Sequence, residues 1–202
     1  MLSLGDDRAS ASAEEDVLRA DTIPMTERSA SALARAIRLG VVSAREVVEV
    51  HIALLERTAH QVNAIAAERY AAARAEADAA DARITAAGAD EALPPLLGVP
   101  CTIKESIAVA GMPNSAGLVA RRELRAAHTA PGAQRLIDAG AIVMGVTKTS
   151  ELCLWIETEN RVYGRTSNPY NPRRSAGGSS GGEGGRLARP HSSDVSFSWP
   201  WR

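Results

Sequence analysis

Apolar side chains recur every three to four residues in the first half of the chain, which is the spacing of helices that bury one face. The first such run ends at Gly40, a residue suited to terminate a helix. The second run begins at Ser43, and its order Ser-Ala-Arg-Glu46 has the form of a capping box. Its predicted buried face consists of Val47, Val48, Ile52, Leu54 and Leu55. A third, alanine-rich helix is predicted from Glu68 to Ala87 by propensity as much as by packing.

After Pro95 the pattern changes to short continuous apolar runs, which are typical of buried parallel strands. One strand is predicted within residues 97–104 and another within residues 141–146, with a helix over residues 133–139 between them. Strand, helix and strand in this order predict an α/β sheet.

Composition and charge narrow the function classes. Apolar residues make up 45% and charged residues 23% of 202 residues, which excludes wholesale disorder. The net charge of −1 provides no basic field for nucleic acid or an anionic membrane. Cys101 and Cys153 are too few for a disulfide scaffold, so the expected compartment is the cytoplasm. His51 and His60 lack metal-ligand spacing and are predicted to be surface residues.

The segment Gly177–Gly185, with the order Gly-Gly-Ser-Ser-Gly-Gly-Glu-Gly-Gly, allows several interpretations. Its composition is that of a flexible linker. A phosphate-binding loop would need a lysine followed by Ser or Thr, whereas this segment contains Glu183 and no lysine. The pattern around Ser179 also fits the nucleophile elbow of α/β-hydrolases, but only His191 and Asp194 follow it, in the wrong order for that triad.

A further interpretation pairs the glycine-rich segment with Lys104. Lys104 follows an apolar strand and can therefore stand in a cleft at the end of the sheet, where loss of hydration favours the neutral amine. A neutral lysine can act as a general base towards a serine. The alternative for any single lysine is a surface position with its amine in water. Lys148, the other lysine of the chain, also follows a predicted strand.

Five motif-like segments occur in order along the chain, the first ending at Lys104 and the last lying in the glycine-rich segment. They are Gly98–Lys104, Gly111–Gly117, Gly140–Leu152, Tyr163–Pro172 and Gly177–Glu183. Together, over about residues 26–185, they resemble the amidase signature family. The stretch from Glu151-Leu-Cys-Leu-Trp155 to Tyr163-Gly-Arg165 is similar to the fatty acid amide hydrolase branch of that family, in its type-two form. The resemblance implies an α/β fold in which N-terminal helices precede the start of a mixed sheet flanked by helices.

The resemblance also implies hydrolysis of carboxylic amides, fatty-acyl amides among them, with no metal or organic cofactor. Lys104 matches the family's lysine, and Ser179 matches its bridging serine, on a cis peptide bond from Gly178. In this scheme the lysine takes the proton of the bridging serine, which takes the proton of a nucleophilic serine. Gly177 and Ser180 match neighbouring loop positions, Ser180 as a hydrogen-bond partner rather than a member of the triad.

The sequence departs from the family after Ser179. The nucleophile should follow in a Gly-Gly-Ser turn that also forms the oxyanion hole, and no such turn occurs up to Arg202, so the chain contains no nucleophile. The expected organisation is a disordered acidic tail over residues 1–25 and the N-terminal part of an amidase signature domain over residues 26–185. Residues 186–202 are expected to be a tail foreign to the family, from truncation, a frameshift or a gene-model artefact, or from genuine divergence.

Three functions remain open at this stage. The first is an amidase-type hydrolase acting on C–N bonds, inactive as given because the nucleophile segment is absent. The second is a non-catalytic truncated remnant with at most a binding role. The third is a subunit of a tRNA-dependent amidotransferase, against which the Trp155 region and the lack of a basic stripe speak. The expected partner is a small-molecule amide, with no nucleic acid and no transmembrane segment.

Overall fold

The structure is a computed structural model that describes residues 23–88, 91–187 and 195–197. Its helices are α1 (Ala30–Arg38), α2 (Ala44–Val62), α3 (Tyr70–Ala86), α4 (Pro131–Asp138) and α5 (Gly181–Leu187). Its strands are β1 (Ile65–Glu68), β2 (Pro100–Lys104), β3 (Ile142–Thr147) and β4 (Val195–Phe197). Most of the two predicted tails, residues 1–22, 188–194 and 198–202, lies outside the described residues. Among the helices of the described ranges, none combines the length and apolar character needed to cross a bilayer.

The described strands form one mixed sheet in the order β1–β3–β2–β4. β2 runs parallel to both β3 and β4, whereas β1 runs antiparallel to β3. The unit β2–α4–β3 confirms the predicted strand, helix and strand, and with it the α/β fold class. The sequence does not predict β1, because its Ile-Ala-Ala-Glu order is short and its alanines have little strand propensity. Pairing with β3 makes this segment a strand.

Helix α2 confirms its predicted start and its predicted buried face. The Ser43 hydroxyl accepts a hydrogen bond from the Glu46 amide at 3.0 Å, and the Glu46 carboxylate accepts one from the Ser43 amide at 2.9 Å. Asp81 of α3 adds a second cap, since its carboxylate accepts hydrogen bonds from the amides of Ala44 and Arg45. All five residues predicted to form the apolar face are buried. The backbone amides at the start of α2 therefore find hydrogen-bond acceptors both in the capping box of α2 itself and in α3.

Two apolar cores lie on opposite faces of the sheet. One packs helices α1, α2 and α3 against Ile142 and Met144 of β3. The other packs α4 against Cys101 and Ile103 of β2, and both of these strand residues are fully buried. The predicted surface position of His51 is wrong. His51 is fully buried, because it lies one helical turn after a residue of the buried face of α2.

Candidate active site

Lys104 ends strand β2 with its side chain turned into the protein, and the residue is only 4% exposed. Its Nζ donates a hydrogen bond to Ser179 Oγ at 2.7 Å. This distance lies within the range of about 2.6–3.2 Å that direct proton transfer between two heavy atoms requires. The peptide bond between Gly178 and Ser179 is cis, as the family resemblance implies. Gly177, which precedes it, has a φ of 85° in the left-handed region that favours glycine.

The glycine-rich segment is not a flexible linker in this structure, because its second half forms the start of α5. A Cβ atom at Gly182 would overlap the backbone of Lys148 and lie 2.7 Å from the carbonyl oxygen of Ala64. At Gly185 a Cβ atom would lie 2.9 Å from Cγ1 of Val62. The glycines therefore let α5 approach the end of β3 and the end of α2. Ser180 opens the helix, and its carbonyl accepts the Gly184 amide at 3.0 Å.

We expect Gly182→Ala to lower the thermal unfolding midpoint of the chain, because forcing a methyl group into this contact costs about 1–3 kcal/mol. Gly184→Ala is the matched control in the same helix. A Cβ atom there would meet nothing closer than 3.7 Å, and alanine favours helix over glycine. Thermal circular dichroism should show a lower midpoint for the first variant and an equal or higher one for the second. Equal midpoints in the two variants would show that α5 does not pack as described.

The segment from Thr149 to Cys153 borders Ser179. Thr149 Oγ1 donates a hydrogen bond to the Ser179 carbonyl at 2.9 Å and lies 3.2 Å from Cys153 Sγ. Burial raises the pKa of the Cys153 thiol, but hydrogen bonds with Ser106 and Thr149 and the charge of Lys104 bring it below its usual value. Leu152 and Cys153 both have positive φ values, 49° and 61°. The sequence suggested no role for Cys153 beyond a free thiol, and only its place in the Glu151–Trp155 stretch pointed to this site.

Glu105 organises the segment around Ser115 from inside the protein. Its buried carboxylate accepts hydrogen bonds from the hydroxyl of Ser115 at 2.7 Å, the amide of Ala116 and the hydroxyl of Tyr163 at 2.8 Å. The Ala116 carbonyl in turn accepts the amide of Leu152 at 2.7 Å. Burial, together with the Glu105 carboxylate, raises the pKa of Tyr163 to about 12, although the Ser115 hydroxyl opposes it. Glu105 thus connects the Gly111–Gly117 motif to the backbone beside the site, which the sequence did not predict.

Lys148 occupies a different environment from Lys104, although it is equally buried at 3% exposure. Its Nζ donates a hydrogen bond to the carbonyl of Tyr163. Burial lowers the pKa of the Lys148 amine to about 8. Of the two lysines, therefore, Lys104 contacts Ser179, whereas Lys148 bonds the backbone of another loop.

Because the pKa of Lys148 is lowered by folding, the unfolded chain binds more protons than the folded chain between about pH 8 and 10.5. The free energy of unfolding should therefore rise with pH across this window. The stability that Lys148 contributes as a neutral amine is fully present above about pH 10.5 and is lost as pH falls through about 8. We expect the ε-carbon signal of ¹³C-labelled Lys148 to titrate with a midpoint near pH 8 in the native protein. Lys148→Arg removes that signal and assigns it. A midpoint near the ordinary value of 10.5 would contradict the burial of this amine.

The pair of Lys104 and Ser179 can move a proton between a buried amine and a hydroxyl. At 2.7 Å the two atoms are within the range of direct proton transfer. Lys104 is almost fully buried, whereas Ser179 is partly exposed. Within the described ranges, no group of three His, Cys, Asp or Glu side chains could hold a metal ion.

Comparison with known proteins shows which family the chain belongs to. The model of the family described as Amidase matches residues 46–193, which is more than half of the chain. The chain belongs to that family. Fatty-acid amide hydrolase 2-B of Danio rerio is 48% identical over 167 residues, covering 81% of this chain and 32% of that protein. A glutamyl-tRNA(Gln) amidotransferase subunit of Prochlorococcus marinus (strain MIT 9303) is 36% identical over 155 residues, covering 75% of this chain and 31% of that protein.

A solved structure titled fatty acid amide hydrolase superposes with a TM-score of 0.76 at 23% identity. The superposition covers 84% of this chain and 29% of the fatty acid amide hydrolase chain. At this sequence identity the similarity shows a shared fold. The chain spans about a third of the length of the curated relatives it matches.

Proposed function

We propose that the chain supplies the lysine and bridging-serine part of an amidase site that hydrolyses carboxylic amides at the C–N bond. The observation that carries the proposal is the 2.7 Å contact between the buried Lys104 amine and the Ser179 hydroxyl. In the proposed reaction, Lys104 takes the proton of Ser179, and Ser179 takes the proton of a nucleophilic serine. The roles of Gly177, Gly178 and Ser180 are to shape the loop that presents Ser179.

The proposed substrates are amides with an apolar acyl group, fatty-acyl amides among them. Two observations support this class. The chain is 48% identical to a fatty-acid amide hydrolase over most of its length. The three apolar residues that follow Cys153 in the chain, Leu154, Trp155 and Ile156, are all exposed, which is the kind of surface that binds an apolar group.

The nucleophile and the oxyanion donors have no match in these 202 residues, so we propose that this polypeptide alone does not turn over an amide. A non-catalytic remnant remains the first alternative. A component of a tRNA-dependent amidotransferase is the second, supported by the 36% identity to the Prochlorococcus marinus protein. The proposed partner is a small-molecule amide. The proposed compartment is the cytoplasm, which the thiols of Cys101 and Cys153 support because they form no disulfide with each other.

A chimera tests the proposal directly. Residues 46–187 of this chain replace the matching residues of fatty-acid amide hydrolase 2-B from Danio rerio. The fish protein then supplies the rest of the chimera, including the segments that follow residue 187. We expect the chimera to hydrolyse a chromogenic fatty-acyl anilide. A monodisperse, folded chimera that cleaves no anilide would contradict the proposal. A chimera that releases ammonia from glutamine but leaves the anilide intact would favour the amidotransferase alternative.

A further inference from the structure

Glu183 stands in the first turn of α5 and is 2% exposed. Thr102 Oγ1 donates one hydrogen bond shared between the two oxygens of the Glu183 carboxylate, at 2.9 and 3.0 Å, and Thr147 Oγ1 donates another at 2.8 Å. Arg186 Nη2 donates to the same carboxylate at 3.1 Å. A buried carboxylate with this set of donors is stable only while they stay in place, because an uncompensated buried charge is costly. Glu183 therefore connects α5 to both central strands.

The threonines that hold Glu183 lie on the face of the sheet that carries Lys104. Thr102 precedes Lys104 by two residues in β2, so the two side chains point to the same side. Thr147 is the register partner of Lys104 in the neighbouring strand β3. Ser179 lies just before α5 in the chain, four residues ahead of Glu183. One carboxylate thus joins the segment that carries Ser179 to the strand that carries Lys104.

We propose that Glu183 is a positioning residue that sets the distance between Lys104 Nζ and Ser179 Oγ. Other contacts keep α5 in the protein when the carboxylate is lost. The Gly181 amide donates to Thr158 Oγ1 at 2.7 Å, and the Gly182 amide donates to the Lys148 carbonyl at 3.2 Å. Neither contact reaches β2. Removal of Glu183 is therefore expected to loosen the register of α5 against β2 while the helix stays attached to the loops.

The consequence of this geometry for catalysis rests on the proposed function, whereas the geometry itself can be measured without turnover. The chain has only two lysines, and both are buried. Competitive acetylation with acetic anhydride, measured by mass spectrometry of peptides, reports separately on Lys104 and Lys148. Lys148 serves as an internal reference because its amine bonds the Tyr163 carbonyl rather than Ser179.

In the 202-residue chain, Glu183→Ala should raise the acetylation rate of Lys104 about tenfold or more, which is the effect of losing a hydrogen bond to a charged group. The rate at Lys148 should change less than about twofold. Glu183→Gln should give an intermediate rate at Lys104, since its amide keeps one acceptor oxygen for the threonines but turns a donor towards Arg186. Val48→Ala, in the core of α2, is the control for general loosening and should not favour Lys104 over Lys148.

An unchanged rate at Lys104 in Glu183→Ala would overturn the proposal. A parallel rise at both lysines would also overturn it, because it would show that Glu183 only stabilises the fold. If circular dichroism shows Glu183→Ala unfolded, Thr102→Val and Thr147→Val replace it and are judged by the same selective rise at Lys104. An inactive chimera together with selective labelling would reject the proposed function and leave the positioning role of Glu183 intact.

Discussion

In the chimera, Lys104→Met should lower kcat for a fatty-acyl anilide on the order of 10⁴-fold, with KM changed far less. Methionine keeps an unbranched stem in the buried position but has no amine to receive the Ser179 proton. The acyl chain does not need that amine for binding, so the loss should fall on kcat. Steady-state kinetics at saturating substrate measures both quantities.

The matched control is Lys148→Met, which removes the other buried lysine of the chain. Its amine bonds a backbone carbonyl rather than Ser179, so kcat should stay within about tenfold of the parent chimera. Equal losses of kcat in the two variants would refute the assignment of Lys104 as the base, because they would trace the effect to folding.

The 202-residue chain alone should hydrolyse the same anilide on the order of 10⁶-fold more slowly than the chimera does. A loss of this size is usual when a serine hydrolase loses its nucleophile. The physical reason is that Ser179 is proposed to relay a proton, and no second serine in a Gly-Gly-Ser turn follows it. Long incubations with product detection by mass spectrometry set the limit. Steady hydrolysis that disappears in Ser179→Ala would mean instead that Ser179 itself attacks the substrate.

Local patterns were sufficient where the interactions are local. The capping box from Ser43 to Glu46 and the buried face of α2 follow from spacing alone, because their partners lie within one or two helical turns. Lys104 and Ser179 lie 75 residues apart, so spacing left the glycine-rich segment open to a linker interpretation. Only the ordered set of motifs that resembles the amidase signature family joined the two residues.

The features that the sequence did not predict depend on distant partners. β1 is a strand because β3 pairs with it, and β3 begins more than 70 residues later in the chain. His51 was predicted to be a surface residue because its spacing fits no metal site, although its position in the helix places it on the buried stripe of α2. Glu183 counted only as an obstacle to phosphate binding, because Thr102 and Thr147, which hold its carboxylate, lie on two remote strands.

The central claim, that Lys104 and Ser179 act as one proton-transfer unit, is tested most directly by a double-mutant cycle on kcat in the chimera. Residues that work as a unit show strongly non-additive losses. The account predicts that Lys104→Met, Ser179→Ala and the double variant all lose kcat to a similar extent, within about tenfold of one another. Losses that multiply in the double variant, as independent contributions do, would contradict it.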